Sequence, residues 1–188
     1  MKIGLLSGGY INKFRPKKLS VFTAFIEEHL EYVLSLLPSL ENSAGNYKGE
    51  NSRFEINNLK PDIEAEILNY PPENIIKTAI FITSLENIYK CANEIKNYIE
   101  DAGKYPPIGF DFFEIAVRIS SIVKTEIDGF FTGDKDINLE TKIAETERLI
   151  NQAFRQLNKI NGRGKAGNGR IVYYSCIIEE MKGIIRNI

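Results

Sequence analysis

Phe81, Leu85, Ile88, Ala92, Ile95 and Ile99 recur at alternating steps of four and three. A strand would send residues at such spacings to both of its faces. A helix gathers them into one narrow stripe. The spacing therefore predicts a long helix through this segment, with an apolar seam that a neighbouring helix must cover.

The same frame repeats along the chain. Phe22, Ile26, Val33 and Leu37 predict a first helix that Pro38 stops. After the Gly-, Asn- and Ser-rich loop "ENSAGNYKGENS", a weaker second helix runs through Ile56, Leu59, Ile63, Ile67 and Tyr70. Pro61 is expected to kink or restart it. The stretch "YPPEN" ends it and opens the third. "DAGKYPPIG" then reads as a linker, because Gly ends one helix and the Pro pair cannot continue it. A fourth helix is expected from about Phe112 to Ile127, burying Ile115, Ile119 and Ile122, with "DGFFTGDKD" as the turn after it. A fifth is expected over Leu139 to Ile160, burying Ile143, Ile150, Ala153 and Leu157. A sixth passes through Ile171, Tyr174, Ile178, Met181 and Ile185 to Ile188.

The expected fold is all-α: three amphipathic helices, a linker, then three more, as two tandem three-helix bundles of antiparallel helices. The divisions are a basic arm at 1–18, a first repeat at 19–103 and a second at 104–188. Within the arm, "KIGLLSGG" has the form of a strand entering a glycine turn that can cradle phosphate. No strand–helix–strand alternation follows to complete such a fold, so an arm is the reading taken.

Charge narrows the partners. The net charge of −1 supplies no global field toward nucleic acid or an anionic membrane. No apolar run reaches the ~18 residues of a membrane span, and the start lacks the form of a signal peptide. No membrane insertion is expected, and two cysteines without CxxC spacing favour a cytoplasmic address and free buried thiols.

Candidate chemistry is sparse. His29 is the single histidine, and Ile26 stands where a Glu-x-x-His metal motif needs Glu, so His29 is expected on a helix flank. Acidic residues recur three or four apart on most helices, the pattern of a solvated face. The cations gather in two places: Lys13, Arg15, Lys17 and Lys18 in the arm, and Arg163, Lys165 and Arg170 in "NGRGKAGNGR". Together they are candidate anion or nucleic-acid contacts, because Lys and Arg neutralise phosphates. Tyr173 and Tyr174 follow, but no aromatics interleave the basic residues as base stacking asks.

Two stretches carry a resemblance. "LENIYKCANEI" (85–95) and "IEEMKGIIRNI" (178–188) share a frame, and "ETERLIN" lies on the helix before the second. The frame resembles the L-E-R-I-G-D-H-A-x-N-I pattern on the third helix of each half of the PhoU family, tandem three-helix-bundle proteins. The resemblance spans 19–188 in layout. It implies a non-enzymatic regulatory or accessory protein linked to phosphate transport or its signalling. Such a protein would contact a transporter or signalling partner, and another copy of itself as a homodimer. That family binds metal clusters through E-x-x-x-D motifs. Here Glu86, Glu147 and Glu179 keep the Glu, while Lys90, Asn151 and Gly183 stand at the Asp positions. Lys is a competing cation, Gly offers no ligand and Asn only a neutral oxygen. No metal or other cofactor is expected, and the three Glu remain as weak metal candidates. The alternative is a helical nucleic-acid-binding protein using the arm and loop 161–170.

Overall fold

The computed structural model describes residues 17–41, 53–69, 72–105, 109–134, 136–161 and 168–188. Among these the chain is all-α. Six helices run in order: α1 (Lys17–Leu36), α2 (Arg53–Ile67), α3 (Pro72–Ala102), α4 (Phe113–Thr132), α5 (Leu139–Asn161) and α6 (Asn168–Arg186). A 3-10 turn, Leu37–Glu41, follows α1 where Pro38 denies it another α-helical hydrogen bond. No described helix is long and apolar enough to cross a membrane.

The stripe on α3 is buried as the spacing requires: Phe81, Leu85, Ile88, Ala92, Ile95 and Ile99 are all in the core. α3 opens on Pro72, a first-turn position with no intrahelical N–H bond to lose. Its most extensive pairing is with α6. The two are antiparallel, since residue numbers rise along one as they fall along the other. Asn87 Nδ2 donates to Asn187 Oδ1 at 3.0 Å, Cys91 lies against Gly183, Tyr98 faces Tyr173 and Tyr105 covers Gly169. α1 lies on another side of α3 and runs parallel to it, Phe25 meeting Tyr89 and His29 meeting Asn93. α4 packs on α1, where Lys124 bridges Glu27 at 3.4 Å. α5 packs on both α4 and α6. α2 leans on α1 through buried Ile63 and Ile67, with ion pairs Lys18–Asp62 (2.5 Å) and Lys60–Glu86 (2.9 Å) at its margins. Buried side chains from all six helices, on both sides of the Pro/Gly linker, form one cluster.

Three local expectations change. α2 passes through Pro61 as one helix. Pro61 is exposed, so the carbonyl it leaves unbonded can turn to water. Helix α4 continues through most of the expected turn "DGFFTGDKD" and ends at Thr132. Gly133 caps it at φ 76°, its N–H bonding the Gly129 carbonyl at 2.9 Å. Phe130 and Phe131 are the reason. The Phe130 ring stacks on Phe81 of α3, centroids 3.8 Å apart, and Phe131 is buried. Burying aromatic rings outweighs the ~1 kcal/mol that Gly129 costs inside a helix. Lys17 and Lys18, assigned to the arm, form the first turn of α1.

Candidate functional site

The sequence-based cation patch does not assemble among the described residues. Lys13, Arg15, Arg163 and Lys165 lie outside them. Lys17 is exposed, and Lys18 is paired with Asp62. Arg170 is a correction. Expected as an anion contact, it is only 1% exposed. Its Nε donates to the Tyr174 hydroxyl at 3.1 Å, and its two terminal nitrogens donate to the carbonyls of Tyr105 and Leu40. The guanidinium thus ties the start of α6 to the end of α3 and the end of the 3-10 turn. Phe110, Phe112 and Tyr174 wall it off from water, with Phe112 and Tyr174 rings 5.1 Å apart. Neutral carbonyls accept its protons, so the fork serves packing rather than recognition of a surface phosphate.

The metal candidates also stay apart. Glu86 on α3 is held by Lys60 from α2, and this ion pair raises the Lys60 ammonium above its ordinary value. Glu147 is half-buried on α5 and Glu179 is exposed on α6. Asn187 opposes Asn87, next to Glu86, so Glu179 lies about 12 Å farther along the seam at 1.5 Å per residue. Among the described residues no group of three His, Cys, Asp or Glu can hold a metal ion.

His29 is a second correction. It is buried at the α1–α3 contact rather than on a flank. Its Nε2 lies 3.1 Å from Asn93 Oδ1, its ring stacks parallel to Phe25 at 6.3 Å, and Tyr89 sits 4.7 Å away. Burial holds the imidazole below its ordinary pKa. The Asn93 contact works against this, and the Lys96 charge adds to it.

What the helices do build is a row along the open edge of the α3–α6 pair. On α3, Asn87, Cys91, Glu94 and Tyr98 fall at helical spacing on one side. On α6, Tyr173, Cys176, Glu180, Gly183 and Asn187 face them, and every one is half-buried. Gly183 permits the close approach, since a Cβ there would lie 2.9 Å from Cys91 Sγ. The two cysteines are free. Burial, with a hydrogen bond to the Glu180 carboxylate, pushes the Cys91 thiol up to about 12, so it stays protonated and unreactive at neutral pH. Burial likewise raises the Tyr98 phenol, followed by the neighbouring Cys176, Glu94 and Glu180. Tyr98 and Tyr105 flank Tyr173 at 6.4 and 5.9 Å, giving a ladder of three tilted rings. The row was within reach of sequence reasoning: Cys91, Glu94 and Tyr98 border the α3 stripe at its own spacing. Their opposite numbers on α6 could be known only once the pairing register was.

Compared with known proteins, the chain matches no protein-family model, no curated protein and no solved structure.

Proposed function

We propose that this chain is a non-enzymatic regulatory or accessory protein of PhoU-like, tandem three-helix layout, acting by protein–protein contact on its open α3–α6 edge. The observation that carries the reading is the pairing itself. The two stretches with the repeated frame, 85–95 on α3 and 178–188 on α6, lie antiparallel against each other, joined by Asn87–Asn187 and Cys91–Gly183. Their shared frame then has a physical cause, because two like helices fill equivalent positions across one seam. A duplicated layout is further supported by the matching pairs α1 with α4 and α3 with α6. The link to phosphate transport or its signalling rests on the resemblance alone. A partner helix or segment would lie along the half-buried row, where side chains already held by packing lose little freedom on binding.

The test is a pull-down from native lysate at low and moderate salt, identifying both protein and nucleic acid. It compares the wild-type chain with one carrying Val172→Arg and Glu179→Arg, two exposed positions on α6. Retention of a transporter or signalling protein at moderate salt, lost in the variant, supports the reading. Recovery of nucleic acid only, and only at low salt, replaces it with the nucleic-acid alternative.

A further inference from the structure

Two acids sit in the α3–α6 row without a cation. Glu94 comes from α3 and Glu180 from α6, and both act on Cys91 and on Tyr98 from opposite sides of the seam. Both are half-buried, and neither forms an ion pair among the described residues. Lys90, one turn before Glu94, and Lys182, two residues beyond Glu180, bridge to neither. Lys104, at the far end of the row, is held by Asp101 at 2.5 Å. Two partly desolvated carboxylates placed together repel, and a cation brought between them relieves that cost. Beside them runs the ring ladder Tyr98, Tyr173 and Tyr105.

Carboxylates beside aromatic faces suit a guanidinium better than an ammonium. Its planar fork hydrogen-bonds a carboxylate with two parallel N–H groups, and its face stacks on a ring. We propose that the open α3–α6 edge docks an arginine-containing extended segment of a partner protein, one guanidinium reaching Glu94 and Glu180 and a second lying on the tyrosine ladder. This rests on the docking reading above and names the chemistry of the partner. From Cys91 to Tyr105 the row is about 21 Å long at 1.5 Å per residue, the reach of an extended segment of roughly six or seven residues.

The experiment uses the full chain and a fluorescent heptapeptide alternating Gly and Arg. Lysine and citrulline versions serve as controls, each followed by anisotropy at two salt concentrations. The arginine peptide is expected to bind, the lysine peptide several-fold more weakly and the neutral citrulline peptide not at all. Glu94→Gln with Glu180→Gln, which keeps shape and removes charge, is expected to weaken binding tenfold or more. Glu140→Gln, on exposed α5 surface, leaves it unchanged. Tyr173→Leu is expected to weaken the arginine peptide more than the lysine one, with the thermal melt confirming that the variant folds. Equal binding of the arginine and citrulline peptides, or full binding by the Glu94/Glu180 variant, overturns the proposal. If the peptides fail while the pull-down partner is still lost on Val172→Arg with Glu179→Arg, the arginine inference falls and the docking reading stands.

Discussion

α3 has two principal neighbours, and they are joined to it by different means. Against α6 it runs antiparallel, brought close by Gly183 and Gly169, with an amide pair at one end and the Arg170 fork at the other. Against α1 it runs parallel, and the contact includes a buried histidine clasped by two rings and an amide. The first contact relies on shape and on neutral donors and acceptors, which few ordinary changes of solution disturb. The second contains a group that titrates near neutrality. The difference teaches that one helix can be anchored firmly on one side and conditionally on the other.

The largest effect expected is on the α6 side. Arg170→Ala leaves two buried carbonyls and the Tyr174 hydroxyl without their donor. A loss of about 3 kcal/mol or more follows at ~1 kcal/mol or more per stranded group, lowering the melting temperature by roughly 6–12 °C for a chain of this length. Arg170→Lys should recover only part of it, since one ammonium cannot span three acceptors. A melt unchanged by Arg170→Ala would remove the clamp from this account.

Gly183→Leu comes next. Its Cβ already meets Cys91 Sγ at 2.9 Å, so the larger side chain must push α3 and α6 apart, costing about 1–3 kcal/mol. Urea unfolding measures this. Pairing it with Cys91→Ala should soften the loss, and strict additivity of the two changes would argue against direct contact.

The α1 side is tested by pH. His29 has its folded pKa below the ordinary 6.5, so the unfolded chain takes up a proton more readily as pH falls. Its contribution is fully present above about 6.5 and declines as pH drops from there toward the lowered folded value. Urea unfolding at pH 7.5 and 5.5 should show the wild type losing more stability than His29→Gln over that interval. Equal losses would mean that His29 does not sense protons.

Smallest is the surface pair: Lys60→Ala, which removes a side chain 46% exposed beside Glu86, should cost about 0.5 kcal/mol or less. Hydrogen exchange nonetheless distinguishes its helix. α2 has a short buried face, Ile63 and Ile67, and should open at lower free energy than α5, which lies between two helices.

Much of the helical layout was legible because hydrophobic period is a local property. Each of the six helices follows a stripe readable within its own segment, and the buried residues of α3, α4 and α6 are those its spacing selects. What was not legible is what depends on the far side of a contact. Phe130 and Phe131 looked like part of a turn until Phe81 was placed beside them. His29 looked like a flank residue because its clasp comes from α3. Arg170 looked like a loop cation because its acceptors belong to segments 65 and 130 residues earlier. The candidate site divides in the same way. Half of the row borders a stripe the period reveals, and the other half waits on the register of α3 against α6.

That register has a consequence for the birth of the molecule. Leu40 is joined to Arg170 across 130 residues, and Asn87 to Asn187 across 100. At roughly 5–20 residues per second, a ribosome needs on the order of ten seconds to deliver the arginine after the carbonyl it will meet. Throughout that interval α3 has emerged with its apolar stripe uncovered on the side that α6 will occupy. A trigger-type chaperone or any other apolar surface has that time to compete for the stripe, and synthesis slowed within α5 would lengthen the exposure.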